Sequence, residues 1–259
     1  MEDKPVNPFN VSGKMALITG ATRGIGLGIA RALAESGAGL ILVGRSQTEL
    51  ERNARELRHL TPTVHLAPFD LLQSARITPW FEELCASFGS PDILVNSAGI
   101  NRRGLAVDLS LAEWDEVLTL NTTAIFELSR SFARARIRDG KGGKIINIAS
   151  LMTAAARPGT SPYAASKGAV GQLTKALAVE WAKHGILVNA IAPGYIETEL
   201  NRALTGDPKF DSWVKERCPL GRWGKASDIA WPAVFLASAA ADFITGQVLF
   251  VDGGWLSTF

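Results

Sequence analysis

Three spaced glycines directly after the first apolar segment are the feature that most constrains the fold of this chain. The apolar run 15–19 leads into the sequence GATRGIG at residues 20–26. Gly20 and Gly24 permit a tight turn and a close approach of the backbone to phosphate groups, and Gly26 permits a helix to pack closely on the strand. The spacing predicts a strand, a phosphate-binding turn and a helix, because the motif lies where a strand ends and a helix begins.

The rest of the chain repeats this order of strand and helix. Strands are predicted at 15–19, 40–43, 64–68, 92–95, 144–148, 186–191 and 248–251. Helices are predicted at 25–36, 48–60, 77–88, 111–138 (one helix or two abutting ones), 161–184 and 226–237. The strands lack an alternation of polar and apolar residues, which is typical of a parallel sheet covered on both sides. We therefore expect an α/β fold of the Rossmann type, a single doubly wound domain whose seven-stranded parallel sheet has helices on both faces.

Composition excludes several classes of function. Lys and Arg total 27 against 25 Asp and Glu, and a net charge of +2 gives no electrostatic basis for nucleic-acid binding. Cys85 and Cys218 form no CxxC pair, so neither a zinc site nor a disulfide scaffold is expected, and a reducing compartment fits them. No apolar run reaches the roughly 18 residues of a membrane helix, and the polar start is not a secretory signal. We expect a cytoplasmic protein without metal.

The end of the second predicted strand indicates which dinucleotide the chain prefers. Proteins that bind NAD usually place an acidic residue there for the ribose hydroxyls. This chain has Arg45 and Ser46 instead, and a guanidinium pairs well with a 2′-phosphate. Arg23 in the glycine turn is a second candidate for that phosphate. The expected cofactor is therefore NADP(H), although both arginines are also compatible with a solvated surface.

Tyr163 and Lys167 lie one helical turn apart at the start of the helix predicted after the fifth strand. The Tyr-x3-Lys spacing alone is common and often marks only a surface pair. Its position strengthens a catalytic interpretation, because the carboxyl edge of such a sheet faces the ligand. We expect Ser161 to cap this helix and Pro162 to occupy its first turn.

The sequence resembles the short-chain dehydrogenase/reductase family over almost its whole length. The segments that carry the resemblance are Thr19-Gly20-x3-Gly24-x-Gly26, Asp70-Leu71, Asn96-Ser97-Ala98-Gly99, Asn121, Ser150, Tyr163-x3-Lys167, Pro193-Gly194 with Thr198, and Val251-Asp252-Gly253-Gly254. Ser97 departs from the family, which more often has a second asparagine there.

The resemblance implies a role for each matching residue. Tyr163 is expected to exchange a proton with the substrate oxygen, and Lys167 to lower the pKa of Tyr163 and hold the nicotinamide ribose. Ser150 is expected to donate to the substrate oxygen, and Asn121 to support a water relay. The residues expected to bind the cofactor are Gly20, Thr22, Arg23, Gly24, Ile25, Gly26, Arg45, Ser46, Asp70, Leu71, Asn96, Ala98, Gly99, Tyr163, Lys167, Pro193, Gly194, Ile196 and Thr198.

The resemblance also implies the organisation of the chain and its partners. Residues 1–11 are interpreted as an N-terminal arm and residues 12–259 as one NADP-binding catalytic domain. Residues 194–224, with Trp213 and Trp223, are expected to form a substrate loop at the mouth of the pocket. The implied partners are a small carbonyl or alcohol substrate and, as in the family, a homotetramer.

Several segments are most similar to gluconate 5-dehydrogenases and related keto-sugar-acid reductases. Arg102 or Arg103 is a candidate for the carboxylate of a sugar acid, with a solvated basic turn as the equal alternative. Met152 and Tyr195 are further candidates for substrate contact. The apolar run 151–156 after Ser150 instead suits a less hydroxylated ketone, since we expect it to line the pocket.

Two other functions are compatible with these motifs. A reductase of less polar ketones or of 3-oxoacyl thioesters shares the four catalytic residues. A binding protein that senses NADP without turnover shares the fold, but it predicts a damaged active site, whereas Asn121, Ser150, Tyr163 and Lys167 are all present.

Overall fold

Seven parallel strands form one sheet in the order β3-β2-β1-β4-β5-β6-β7. A computed structural model describes residues 7–258, apart from the side chains of residues 200 and 203. The strands are β1 Met15–Thr19, β2 Gly39–Gly44, β3 Val64–Pro68, β4 Ile93–Asn96, β5 Gly143–Ile148, β6 Ile186–Pro193 and β7 Val248–Val251. The chain runs outward from β1 to β3 and then returns to β4 on the other side of β1. This reversal of strand order opens a crevice at the carboxyl ends of β1 and β4.

Helices cover both faces of the sheet, which confirms the predicted architecture. They are α1 Gly24–Glu35, α2 Gln47–Leu57, α3 Ile77–Phe88, α4 Leu111–Leu118, α5 Ala124–Arg138, α6 Ser161–Trp181, α7 Arg202–Thr205, α8 Pro208–Arg217 and α9 Ala226–Ala237. Ile18 of β1 packs with α1 and α9 on one face, whereas its neighbour Leu17 packs with α3 and α5 on the other. Successive residues of a strand point to opposite faces, so a strand buried on both sides is apolar throughout.

The predicted helical stretch 111–138 consists of α4 and α5 joined by a single π-helical turn, Thr119–Thr123. A capping box between Ser110 and Glu113 starts α4. The wide turn places Asn121 inside the molecule with no exposed surface. Such π turns within helices are frequent at functional sites.

Two local predictions need correction. The residue that precedes α6 is Thr160 rather than Ser161, which is already helical, and Pro162 lies in the first turn as expected. Residues 7–11 are not a loose arm, because the ring of Phe9 packs on Phe235 and the carbonyl of Pro8 accepts a hydrogen bond from the N–H of Ala240. The remainder of the predicted arm, residues 1–6, lies outside the described residues.

Candidate active site

A cleft of about 440 Å³ runs along the carboxyl ends of the central strands. Its wall contains most of the residues that the sequence marked for the cofactor: Gly20, Thr22, Arg23, Gly24, Ile25, Gly26, Arg45, Asp70, Leu71, Ala98, Gly99, Tyr163, Lys167, Pro193, Gly194, Ile196 and Thr198. They come from segments spread over nearly 180 positions of the chain. The parallel sheet brings them together because all its strands end at one edge.

The glycine turn has the geometry that a dinucleotide requires. Gly20 and Gly24 adopt φ values of +66° and +57°, which side chains other than glycine rarely accept. A Cβ added at Gly20 would lie 3.0 Å from the backbone of Ala98, and one at Gly26 would overlap the carbonyl oxygen of Gly20. The turn therefore exposes bare backbone and the start of α1 to the cleft, and its residues fit a pyrophosphate.

Arg45 and Arg23 differ in their surroundings at the wall of the cleft. The guanidinium of Arg23 forms an ion pair with Glu199 at 2.7 Å and so links the glycine turn to the segment after β6. Arg45 follows β2 at the position that selects between the two dinucleotides. Among the described residues, Arg45 has no carboxylate within 4.0 Å. Its charge is therefore more available to a phosphate than that of Arg23.

Tyr163, Ser150 and Lys167 meet at one end of the cleft. Burial raises the pKa of Tyr163, and the facing hydroxyl of Ser150 and the charge of Arg103 oppose this effect. Lys167 is not among the groups that shift the pKa of Tyr163 here, and its expected effect on that phenol stays a prediction. The ammonium of Lys167 lies 5.6 Å from the centre of the Tyr163 ring and donates a 2.7 Å hydrogen bond to the carbonyl oxygen of Ile148. Burial lowers the pKa of Lys167 to about 8.

The hydroxyl of Ser150 is oriented by the turn that follows β5. Its Oγ accepts a hydrogen bond of 3.2 Å from the N–H of Met152. The oxygen accepts this bond through a lone pair, which leaves the hydroxyl proton directed at the facing phenol of Tyr163, and this hydrogen bond lowers the pKa of Tyr163. This arrangement suits a donor to a carbonyl oxygen.

Asn121 lies behind the cleft rather than in its wall. Its Oδ1 accepts from the N–H of Ile100 and its Nδ2 donates to the carbonyl of the same residue, both at 2.9 Å. Nδ2 also lies 3.1 Å from the hydroxyl of Ser166, which donates to the carbonyl of Tyr163. Asn121 thus joins the strand-end loop to the first turn of α6. Ser166 was not singled out by sequence reasoning, and only its place three residues after Tyr163 signals this role.

Four other sequence candidates do not reach the cleft. The hydroxyl of Ser46 caps α2 by accepting from the N–H of Glu49. Asn96 is buried and donates to Ser129 and Asn147, which ties β4 to its neighbours. The other two are Met152 and Tyr195, and no residue of 151–156 lines the cleft. The run 151–156 thus does not belong to the wall of the cofactor cleft, and its expected place in a substrate pocket stays a prediction.

Arg102 and Arg103 point in different directions although they are adjacent. Arg102 lines the cleft but is bound by Glu116 through two hydrogen bonds of 2.7 and 2.9 Å. The charge of Arg103 acts on the phenol of Tyr163, and its guanidinium donates to Oδ1 of Asn201, a residue of the cleft wall, at 3.4 Å. Of the two arginines proposed for a carboxylate, Arg103 is thus the one that no carboxylate of the described residues binds.

A second arginine, whose charge acts on Arg103, was missed by sequence reasoning. Arg157 donates to the phenol of Tyr195 at 3.3 Å, and its guanidinium lies 4.9 Å from the ring centre of Phe210. Burial, and then the nearby charge of Arg157, lower the pKa of Arg103. Within the part of the chain that the structure describes, no carboxylate lies within 4.0 Å of either guanidinium.

The segment 194–224 contains the short helices α7 and α8 within longer loops, in agreement with the prediction of a loop-rich segment with short helical pieces. An aromatic cluster of Tyr195, Phe210, Trp213, Trp223 and Trp255, with neighbouring ring centres 4.7–6.3 Å apart, fastens α8 to the rest of the molecule. The buried indole of Trp223 donates to Asp211 at 2.9 Å. Both tryptophans therefore pack within the segment and stabilise its position beside the cleft.

Residues 7–258 show neither a metal site nor a membrane span. No group of three or more His, Cys, Asp or Glu side chains is arranged to hold a metal ion. In the same residues, no helix combines the length and apolar character needed to span a bilayer.

Comparison with known proteins gives consistent matches over the whole chain. Residues 20–256 match the family model described as enoyl-(acyl carrier protein) reductase. The chain is 41% identical to gluconate 5-dehydrogenase of Gluconobacter oxydans, covering 95% of this chain and 96% of that protein. It is 44% identical to 2-dehydro-3-deoxy-D-gluconate 5-dehydrogenase of Dickeya dadantii, covering 97% and 99%. A crystal structure of a gluconate 5-dehydrogenase from Burkholderia cenocepacia in complex with NADP and tartrate has a TM-score of 0.93, 44% identity and coverage of 98% and 99%.

Proposed function

The chain belongs to the short-chain dehydrogenase/reductase family, and from that premise we propose that it is an NADP(H)-dependent oxidoreductase that interconverts a ketone and a secondary alcohol on a sugar acid. The main support for this reaction type is that Tyr163, Ser150 and Lys167 lie together in the wall of the dinucleotide cleft. We also propose the cofactor residues named above, with residues 12–259 acting as one catalytic domain.

The nicotinamide, when bound, supplies or accepts the hydride. The phenol of Tyr163 delivers the proton to the carbonyl oxygen in reduction and removes it in oxidation. The hydroxyl of Ser150, beside the phenol of Tyr163, donates to that oxygen and stabilises the negative charge that develops on it. Lys167 donates one of its three N–H groups to the carbonyl oxygen of Ile148, and the other two remain for ribose hydroxyls.

Asn121 fixes the relative positions of two parts of this site. It holds the backbone of Ile100, which follows the cofactor-binding segment 96–99, and the hydroxyl of Ser166 next to Lys167. It therefore sets how the first turn of α6 faces the cofactor. An intact set of these four residues favours turnover over a binding protein without catalysis.

The pair of Arg103 and Arg157 supports an acidic substrate. The charge of Arg103 acts on Tyr163 and that of Arg157 acts on Arg103, and no carboxylate of the described residues lies within 4.0 Å of either guanidinium. An arginine fork binds a carboxylate with two parallel hydrogen bonds, and a second cation nearby adds to the attraction. Two relatives named for gluconate chemistry, and a solved relative that holds tartrate, agree with a hydroxy acid.

The test follows the oxidation of NADPH by absorbance with four ketones: 5-keto-D-gluconate, a neutral ketohexose, an aryl alkyl ketone and a 3-oxoacyl thioester. We expect the keto acid to have the highest kcat/KM, and Tyr163→Phe to abolish turnover. Arg103→Gln and Arg157→Gln should each raise KM for the keto acid at least tenfold and change that for the neutral ketose little. Equal turnover of neutral and acidic ketones, unaffected by these substitutions, would contradict the proposal.

A homotetramer and a cytoplasmic location complete the proposal. Exposed apolar side chains on and before α4 and α5, among them Leu111, Trp114 and Phe126, support a subunit interface. The free thiols of Cys85 and Cys218 suit a reducing compartment. Light scattering should give four times the 27.7 kDa mass of the chain, and Phe126→Asp should lower it. A monomeric mass for the unaltered protein would contradict the assembly.

A further inference from the structure

The ion pair between Arg102 and Glu116 forms part of the cofactor cleft. Glu116 lies on α4, and Arg102 precedes that helix in the loop after β4. The guanidinium engages both carboxylate oxygens, with Nε to Oε2 at 2.7 Å and Nη2 to Oε1 at 2.9 Å. The two side chains are 46% and 31% exposed, so the pair lies at the rim and stays in contact with solvent. Neither residue matches a family motif or approaches Tyr163.

Arg45 stands in the wall of the same cleft as Arg102 and Glu116. The pKa of Glu116 is lowered first by the hydrogen bond from Arg102 and, more weakly, by the charges of Arg102 and Arg45. Glu116 is therefore a carboxylate at neutral pH. Glu116 is thus an anion in the same cleft as Arg45, the arginine proposed for the 2′-phosphate. Its carboxylate is bound by the other arginine, Arg102.

We propose that Arg102 and Glu116 determine how strongly this cleft prefers NADP(H) to NAD(H), because Arg102 retains the carboxylate of Glu116 and leaves Arg45 available to the 2′-phosphate. The inference rests on the proposed function, since it concerns the cofactor of that site. Arg102 acts through Glu116 and is a positioning residue in this scheme.

The physical basis is competition between two anions for one guanidinium. A carboxylate and a phosphate both form paired hydrogen bonds with arginine. If Glu116 loses its bond to Arg102, it becomes free to pair with Arg45 and also repels the phosphate. NADH has no 2′-phosphate, so its binding does not depend on this competition. The ratio of the dissociation constants of NADPH and NADH therefore measures the effect of the Arg102–Glu116 ion pair. General damage to the cleft would weaken the binding of both cofactors equally.

The experiment measures dissociation constants of NADPH and NADH by quenching of tryptophan fluorescence at fixed ionic strength. The variants are Arg102→Gln, Glu116→Gln and the double variant. Arg31→Gln is the matched control, because it also removes an exposed arginine from a salt bridge, with Glu56 at 3.0 Å, away from the cleft. We expect Arg102→Gln to weaken NADPH about fivefold and to leave NADH within twofold. The double variant should regain the preference of the unaltered protein, since no carboxylate remains to compete.

Two results would overturn the inference and leave the proposed function standing. One is an unchanged preference in Arg102→Gln, and the other is a double variant that binds NADPH as weakly as Arg102→Gln, which would mean that Arg102 contacts the phosphate itself. If the unaltered protein binds neither dinucleotide, the proposed function fails and the inference fails with it. Thermal unfolding of each variant confirms that the folded protein is being compared.

Discussion

The ammonium of Lys167 donates a 2.7 Å hydrogen bond to the carbonyl oxygen of Ile148, the last residue of β5. This bond fixes the lysine between the sheet edge and the face of the Tyr163 ring. Burial there lowers the pKa of Lys167 to about 8, so its charge changes within an accessible pH range.

The first prediction concerns the pH dependence of the reaction. Lys167 is charged below pH 8 and loses its proton as the pH rises through that value, so the positive charge beside the cofactor disappears. Tyr163, whose pKa is raised, remains a proton donor over the same range. We expect kcat/KM for reduction to be constant near pH 7 and to fall about tenfold per pH unit well above 8. A profile that stays flat to pH 10 would contradict the role of Lys167.

The second prediction concerns Arg45 and Arg23. Replacing Arg45 by Ala should weaken NADPH about tenfold and NADH little, because the 2′-phosphate loses its guanidinium. Arg23→Ala should have a smaller effect, because that side chain is paired with Glu199. Dissociation constants for both cofactors check this order. A larger loss in Arg23→Ala would show that the ion pair opens to bind the phosphate.

The third prediction concerns the close contact at Gly26. A methyl group there would overlap the carbonyl oxygen of Gly20, and backbone on both sides must shift to accept it. Gly26→Ala should lower the free energy of unfolding by about 1–3 kcal/mol and should abolish NADPH binding. Gly168→Ala on α6 is the control, because its added methyl meets no atom within 4 Å. Chemical denaturation and fluorescence titration measure the two effects, and normal NADPH binding by Gly26→Ala would refute the prediction.

The fourth prediction concerns Asn121, which is fully buried and joined to Ile100 and Ser166. Asn121→Ala should lower the free energy of unfolding by about 1–3 kcal/mol, because it leaves buried backbone groups without partners. Its kcat should fall as well, since α6 and the strand-end loop lose their connection. Thr122→Ala, which removes only a 3.4 Å hydrogen bond to Ser166, serves as the comparison and should change both quantities less. Similar losses in the two variants would contradict the special position of Asn121.

Much of the fold was accessible from the sequence because its signals are local. Six of the seven strands occur within one residue of the predicted bounds at both ends, as an uninterrupted apolar run followed by glycine or a polar turn is sufficient to mark them. β6 extends two residues further, to Pro193. The spacing of Tyr163 and Lys167 likewise needed only the helical repeat to place both side chains on one face.

The errors occurred where a side chain has more than one possible partner. Ser46 was assigned to the cofactor, but its hydroxyl caps the helix that begins next to it. Arg102 and Arg103 are equivalent in the sequence, and only Glu116 on one side and Tyr163 on the other separate their roles. The position of the Arg157 side chain depends on its hydrogen bond to the phenol of Tyr195, 38 positions away in the sequence.

The sequence by itself determined the parallel doubly wound sheet, the phosphate-binding turn and the placing of Tyr163 and Lys167 on one helix face, because each depends on residue types at short, fixed spacing. Only the tertiary structure decided that Arg103 and Arg157 lack a carboxylate partner among the described residues while Arg102 is bound by Glu116. Side-chain direction in irregular loops is set by partners that folding brings from distant segments. Their charges and hydrogen bonds compete for each guanidinium, and no local pattern records which partner prevails.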